Sequence, residues 1–203
     1  MMHEPIRYHQ KILTLTGPSG VGKTSIAEKI IEDPDYQMLV SITTRPRRAK
    51  TPTASGDLPG EYKNVTKEQF HQMKERDEFL WTIEYAGNEY GTLKASVDEA
   101  LQDKPLSVMI VTPSGASDII NYAPRGEVVS FYILVSDEKT LRQRMQKRGE
   151  NPDALERRME TCRTWNAEAQ KSRTAYRWIH NDGSLDEAVR QLKSYVEYLK
   201  DPS

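Results

Sequence analysis

Three short apolar runs set the frame of the chain. Residues 11–16, 106–111 and 128–135 carry almost no polar face, the pattern of strands buried on both sides. Residues 36–42, 79–85, 89–92 and 176–181 read as further strands, the middle two joined by a turn at Ala86-Gly87-Asn88. Between these runs the apolar positions recur at helical spacing. Residues 25–31 place Ile26, Ala27, Ile30 and Ile31 on one side, and helices are predicted over 66–74, 93–101, 114–122 and 184–199 as well. Two charged helices are predicted, one capped by Asp137 and one over 153–172, separated by the break Gly149-Glu150-Asn151-Pro152. Thr66, with Gln69 three residues on, makes a capping box. Strands alternating with helices predict an α/β fold with a parallel sheet covered on both faces. Residues 45–62 interrupt the pattern. They are rich in Pro, Arg, Thr, Gly and Ser without a hydrophobic period, which predicts a long loop of the kind that often carries function.

The turn after the first run reads Gly17-Pro18-Ser19-Gly20-Val21-Gly22-Lys23-Thr24, a full match to the phosphate-binding pattern G-x-x-x-x-G-K-[ST] between a strand and a helix. Glycines let several backbone N–H groups converge on a phosphate, and the helix N-terminus adds its dipole. In this pattern Gly17, Ser19, Gly20, Val21, Gly22 and Ser25 surround the phosphates of ATP. Lys23 reaches the β- and γ-phosphates, and Thr24 offers its hydroxyl to Mg²⁺. Three arginine groups lie outside this loop: Arg45 with Arg47 and Arg48, Arg144 with Arg148 four residues on, and the pair Arg157-Arg158. Guanidinium groups grip phosphate with two parallel hydrogen bonds, so each group is a candidate for a phosphate of donor or acceptor.

Composition narrows the class. In 203 residues, 29 Lys and Arg stand against 30 Asp and Glu, a net charge of −1 that leaves no footprint for nucleic acid or an anionic membrane. No apolar run approaches membrane-spanning length and no signal peptide is seen, so the expectation is a soluble, cytoplasmic protein acting on small nucleotides, as monomer or homodimer. The single cysteine, Cys162, excludes an internal disulfide, and the four histidines are scattered without metal-ligand spacing. Trp165 and Trp178 read as packing residues.

The phosphate loop is followed by Val40-Ser41-Ile42-Thr43-Thr44-Arg45, Gly60-Glu61-Tyr62, Gly87-Asn88-Glu89-Tyr90-Gly91-Thr92, Arg144-Met145-Gln146-Lys147-Arg148-Gly149 and Asn181-Asp182. In this order and spacing the segments resemble the guanylate kinase family over residues 10–200. The resemblance implies a P-loop NTPase fold of three αβα layers with a parallel core sheet. The core would comprise residues 10–40, 93–141 and 173–200, with a small acceptor-binding lobe over 41–92 and a lid over 142–160. It implies transfer of the ATP γ-phosphate to GMP, dGMP or a related nucleoside monophosphate, with Mg²⁺. By the same resemblance Ser41 and Thr92 touch the acceptor base. Arg45, one of Arg47 or Arg48, Tyr62 and Tyr90 hold the acceptor phosphate. Arg144, Arg148 and Arg158 close on the transferring group, and Asn181 lies beside the adenine of ATP.

Two departures stand out. Trp81 occupies a strand position where the family has a glutamate, and Ile110-Val111-Thr112 replaces its acidic pair at a strand end. Groups expected on phosphate persist while groups expected on guanine do not. Trp81 could stack on a base and Thr112 could accept one hydrogen bond. Glu84, three strand positions from Trp81, is expected on the opposite face. Two alternatives share these features: a ribose 1,5-bisphosphate phosphokinase, whose acceptor has no base, and a guanylate-kinase-like domain that binds without catalysis.

Overall fold

The computed structural model describes residues 10–49, 56–85, 87–102, 105–147 and 152–200. Five parallel strands build the main sheet: β1 (Ile12–Thr16), β2 (Tyr36–Met38), β7 (Leu106–Ile110), β8 (Val128–Leu134) and β9 (Arg177–His180), in the order β2-β7-β1-β8-β9. Strand β1 is central, paired with β7 on one side and β8 on the other. Its five residues are buried, as the unbroken apolar run requires. Leu13 and Leu15 face one cluster, with α1 (Lys23–Ile30), α5 (Glu138–Lys147), α6 (Pro152–Lys171) and α7 (Leu185–Lys200). Ile12 faces the other, with α3 (Lys94–Gln102) and α4 (Pro113–Tyr122). Period-2 alternation thus feeds two apolar layers, and helices cover both faces of the sheet.

A second, mixed sheet has the order β4-β3-β6-β5, from β3 (Ser41–Thr43), β4 (Tyr62–Asn64), β5 (Phe79–Tyr85) and β6 (Asn88–Leu93). It has its own small core, in which Ile42 and Phe79 pack on Phe70 of α2 (Lys67–Glu75). The stacked Phe70 and Phe79 rings lie 4.5 Å apart. Helix α2 opens on the expected capping box, with Thr66 and Gln69 satisfying each other's backbone N–H.

Two expectations about elements change. Residues 36–42 do not form one strand. The Leu39 N–H donates to Val108 of the main sheet and the Ser41 N–H donates to Glu61 of the second, so the chain changes sheets within two residues. Residue 62 does not end a loop but starts β4, whose Tyr-Lys-Asn sequence has no apolar alternation; its pairing with β3 makes it a strand.

Candidate active site

Strand β1 delivers the phosphate loop to the C-terminal edge of the main sheet, where ligands of open α/β folds bind. Gly22 caps α1 with φ 99°, a conformation that favours glycine, and no side chain caps the first turn among the described residues. Thr24 stands in that first turn, where the positive end of the helix dipole favours an anion. A Cβ on Gly22 would collide with the Asn181 amide. That amide is buried and donates from Nδ2 to Val21 O at 2.8 Å, so Asn181 buttresses the loop from the end of β9. Thr24 follows Lys23 as the second residue of α1, so its hydroxyl lies in the turn that the phosphate-loop pattern assigns to a metal ligand.

Lys23 folds back over the loop, donating to Gly17 O at 2.5 Å and Pro18 O at 2.7 Å. Two of the expected lid arginines reach the same neighbourhood. Arg158 donates to Ser19 Oγ at 2.8 Å and Arg144 to Asn181 O at 3.0 Å. Arg157 is exposed, and Arg148 lies outside the described residues. Helices α5 and α6 are joined by the ion pairs Arg142–Glu156 and Arg163–Glu138. Cys162, on α6, lies buried with its Sγ 4.0 Å from Ser19 O. Burial pushes its thiol up to about 11, so it stays protonated at neutral pH.

A cavity runs from this loop into the second sheet. Ser19 and Lys23 line one part; Arg45, Arg48, Tyr62 and Tyr90 line another. Arg47 and Arg48 are both exposed, but of the two only Arg48 lines the cavity. Both facing arginines are organised by Asp57, whose side chain is 5% exposed. Arg45 Nη2 lies 2.6 Å from Asp57 Oδ1 and Arg48 Nε 3.1 Å, while the Arg48 backbone N–H donates to Asp57 Oδ2 at 3.0 Å. Burial alone would raise the Asp57 carboxyl. The Arg48 backbone N–H and the two guanidinium groups outweigh it and hold the group below the ordinary value. Glu61, four residues on, is buried and moves the other way. Desolvation dominates there, opposed by the hydrogen bond from the Leu58 N–H, and its carboxyl is raised. Arg45 also lies over the Tyr62 ring, 5.4 Å from its centroid, and Tyr62 meets Tyr90 edge-on at 5.9 Å.

Ser41 of β3 and Trp81 of β5 line the rest of the cavity, on either side of the fully buried Thr92 of β6. Trp81 of β5 pairs with Thr92 of β6, and the Thr92 hydroxyl lies 3.1 Å from that of Ser41 on β3. The β5–β6 register shifts between Phe79 and Trp81, so a bulge at Leu80 separates Phe79, in the lobe core, from Trp81, on the cavity side. The Trp81 indole lies against Gly115 of α4, where an added Cβ would come within 3.2 Å of the ring. Its Nε1–H is buried and finds no acceptor among the described residues, an arrangement that costs about 1–3 kcal/mol. Thr112 lines the cavity but its Oγ1 is committed. It caps α4 by accepting the Gly115 N–H at 3.2 Å and lies 3.0 Å from Ser114 Oγ. Glu84 is exposed while Trp81, Ile83 and Tyr85 line the cavity, as alternation along the strand requires.

Sequence reasoning missed Asp57, one of two acids in a loop without periodicity; its only trace was its place a short reach from several arginines. It also missed Trp165, which was read as packing but lines the cavity from α6. Trp178 does pack, with its ring 4.9 Å from that of Tyr132.

Comparison with known proteins agrees with this architecture. The guanylate kinase family model matches residues 9–199. A guanylate kinase of Symbiobacterium thermophilum is 31% identical over 188 residues, covering 91% of this chain and 83% of that protein. One of Brucella melitensis is 30% identical over 189 residues, covering 91% and 81%. A solved guanylate kinase from Anaplasma phagocytophilum shares the fold with a TM-score of 0.66 at 20% identity, covering 96% of this chain and 88% of the other. The match runs from the phosphate loop through the lobe bearing Arg45 and Trp81 to the last helix, and the chain belongs to the guanylate kinase family.

Proposed function

We propose that this protein transfers the γ-phosphate of ATP to a nucleoside monophosphate, giving ADP and a nucleoside diphosphate. GMP or dGMP is the family's acceptor, and a related or modified base is compatible with Trp81. The observation that carries this reading is the shared cavity onto which Lys23 of the phosphate loop and Arg45 and Arg48 of the lobe converge. Phosphoryl transfer depends mainly on positioning two phosphates and neutralising the charge between them. Here the first turn of α1 and Lys23 hold the donor phosphates. Arg45, Arg48, Tyr62 and Tyr90 hold the acceptor phosphate, with the arginines pre-set by Asp57. Arg144 and Arg158, already at the loop through Asn181 and Ser19, supply charge to the transferring group. The Thr24 hydroxyl would help to hold Mg²⁺, which would supply neutralising charge to the polyphosphate. The lobe over 41–92 and the lid over 142–160 close on the two substrates and exclude water.

The lack of a carboxylate among the described residues lining the cavity lends some support to a second reading, with ribose 1,5-bisphosphate as acceptor. ADP release from Mg-ATP, measured against nucleoside monophosphates and this sugar bisphosphate, separates the two. Turnover with a nucleotide is expected. Turnover with the sugar alone, or ATP binding without turnover of any acceptor, would overturn the assignment as a nucleoside monophosphate kinase.

A further inference from the structure

Asn181 follows β9 at the same edge of the main sheet from which the phosphate loop leaves β1. It is 6% exposed, and three of its polar groups have partners among the described residues. The backbone N–H donates to Leu134 O at 2.9 Å, which fixes the residue to β8. The side-chain Nδ2 donates to Val21 O at 2.8 Å, inside the phosphate loop. The backbone carbonyl accepts from Arg144 Nη2 at 3.0 Å. One residue thus joins the sheet, the loop assigned to the donor phosphates and an arginine assigned to the transferring group.

The loop is shaped to admit this residue. Gly22 meets the amide where any other residue would carry a Cβ, and a Cβ there would collide with Nδ2. Glycine at this position therefore serves both the positive φ and the close approach of Asn181. Helix α5 packs on the loop at a second point. A Cβ on Gly20 would come within 2.9 Å of Leu141 and 3.1 Å of Met145, and Arg144 precedes Met145 on that helix. The loop and Arg144 are thus registered to each other through Asn181 and through α5. Register matters because phosphoryl transfer is mostly positioning, and a misplacement of about 1 Å can cost about 100-fold in rate.

Resting on the kinase reading above, we propose that Asn181 is a positioning residue whose amide sets the phosphate loop against Arg144, so that the worth of Arg144 to the reaction depends on it. The amide works through Val21 on the placement of the donor phosphates, not by reading the adenine of ATP. Without the amide the loop loses a fixed support, and the phosphate it carries is no longer aligned with the guanidinium.

The experiment is a double-mutant cycle on the intact protein. Transfer is measured from Mg-ATP to whichever of GMP, dGMP, AMP, CMP, UMP and dTMP is turned over fastest. Asn181→Leu keeps a similar volume and removes the donor to Val21 O; Arg144→Ala removes the guanidinium. Asn181→Leu is expected to lower kcat about 10-fold at saturating substrates and to leave the acceptor KM within about 2-fold. In the Asn181→Leu background, Arg144→Ala is expected to cost at least about 5-fold less than it does in the wild type. An Asn181 that only stabilises the fold would lower the thermal midpoint and leave the cost of Arg144→Ala the same in both backgrounds. Equal costs therefore overturn the proposal and leave the kinase reading standing. A second donor, purine riboside triphosphate, lacks the amino group by which adenine would be read. Asn181→Leu is expected to lower kcat/KM for this donor and for ATP by factors within about 3-fold of each other. A larger loss confined to ATP shows that the amide reads the base and overturns the proposal. Absence of transfer by the wild type to every nucleotide overturns the kinase reading, and this proposal with it.

Discussion

Lys23 and Arg45 are assigned to the two phosphates of one reaction, yet the chain holds them by different means. Lys23 rests on carbonyl oxygens of its own loop, Gly17 and Pro18, which are neutral dipoles one turn away. Arg45 is held by a buried, charged partner twelve residues along the chain, Asp57, which also holds Arg48. A lysine carries its charge on a flexible four-carbon stem and can exchange these carbonyls for a phosphate. A guanidinium paired to a buried carboxylate is fixed in place before any ligand arrives and presents its remaining N–H edge. The donor side thus has a lysine seated on its own backbone turn, and the acceptor side has two arginines gathered by one carboxylate on a long loop.

Substitutions can break this comparison. The largest effect is expected from Lys23→Ala, which removes the charge on the donor side. Transfer should fall by about 10³-fold or more, roughly 4 kcal/mol of transition-state stabilisation, measured as kcat/KM. Near-normal turnover would remove the phosphate loop from the mechanism. Arg45→Ala should cost less and on one side only: the acceptor KM rises by about 1.5–3 kcal/mol in equivalent binding, with ATP affinity measured by titration unchanged. Smaller again is Asp57→Asn, which keeps both guanidinium groups and loosens their placement. The acceptor KM is expected to rise about 10-fold, with a stability loss of about 1–3 kcal/mol in denaturant unfolding. A lower acceptor KM would show instead that Asp57 competes with the phosphate.

The same loop makes a pH prediction in which two carboxylates oppose one another. Asp57 sits below its ordinary value. Its stabilisation is therefore complete above the unfolded pKa of about 3.9 and is lost as pH falls through the lower folded value. Glu61 is raised by burial, so its contribution is complete below the unfolded value of about 4.3 and is lost as pH rises through the higher folded one. Thermal midpoints of wild type and Asp57→Asn should converge on acidification below about pH 4, whereas Glu61→Gln should gain on wild type as pH rises toward neutrality.

Local signals were strong where the backbone makes its own structure. The Gly-rich turn before α1, the Thr66–Gln69 cap and the unbroken apolar run of β1 each carry a short-range physical reason, and each is found where the pattern puts it. What was not legible depends on partners distant in the chain. The change of sheet at Leu39–Val40 is set by Val108 and Glu61. Strand β4 exists because β3 lies beside it. Asp57 is informative only once Arg45 and Arg48 converge on it. The choice between Arg47 and Arg48 turns on loop geometry that spacing does not encode. Trp81 was noticed from the sequence, but the bulge at Leu80 that sets its face could be seen only with β6 in register.

The three tryptophans have a consequence for how the molecule can be observed. Trp81 belongs to the lobe, Trp165 to α6 and Trp178 to the main sheet, and the first two share the wall of one cavity while the third is packed against Tyr132. The indoles thus form a built-in optical pair with an internal standard. A ligand entering the cavity is expected to change the light emitted by Trp81 and Trp165 and to leave that of Trp178 nearly unchanged, which would let binding be timed in the unlabelled protein.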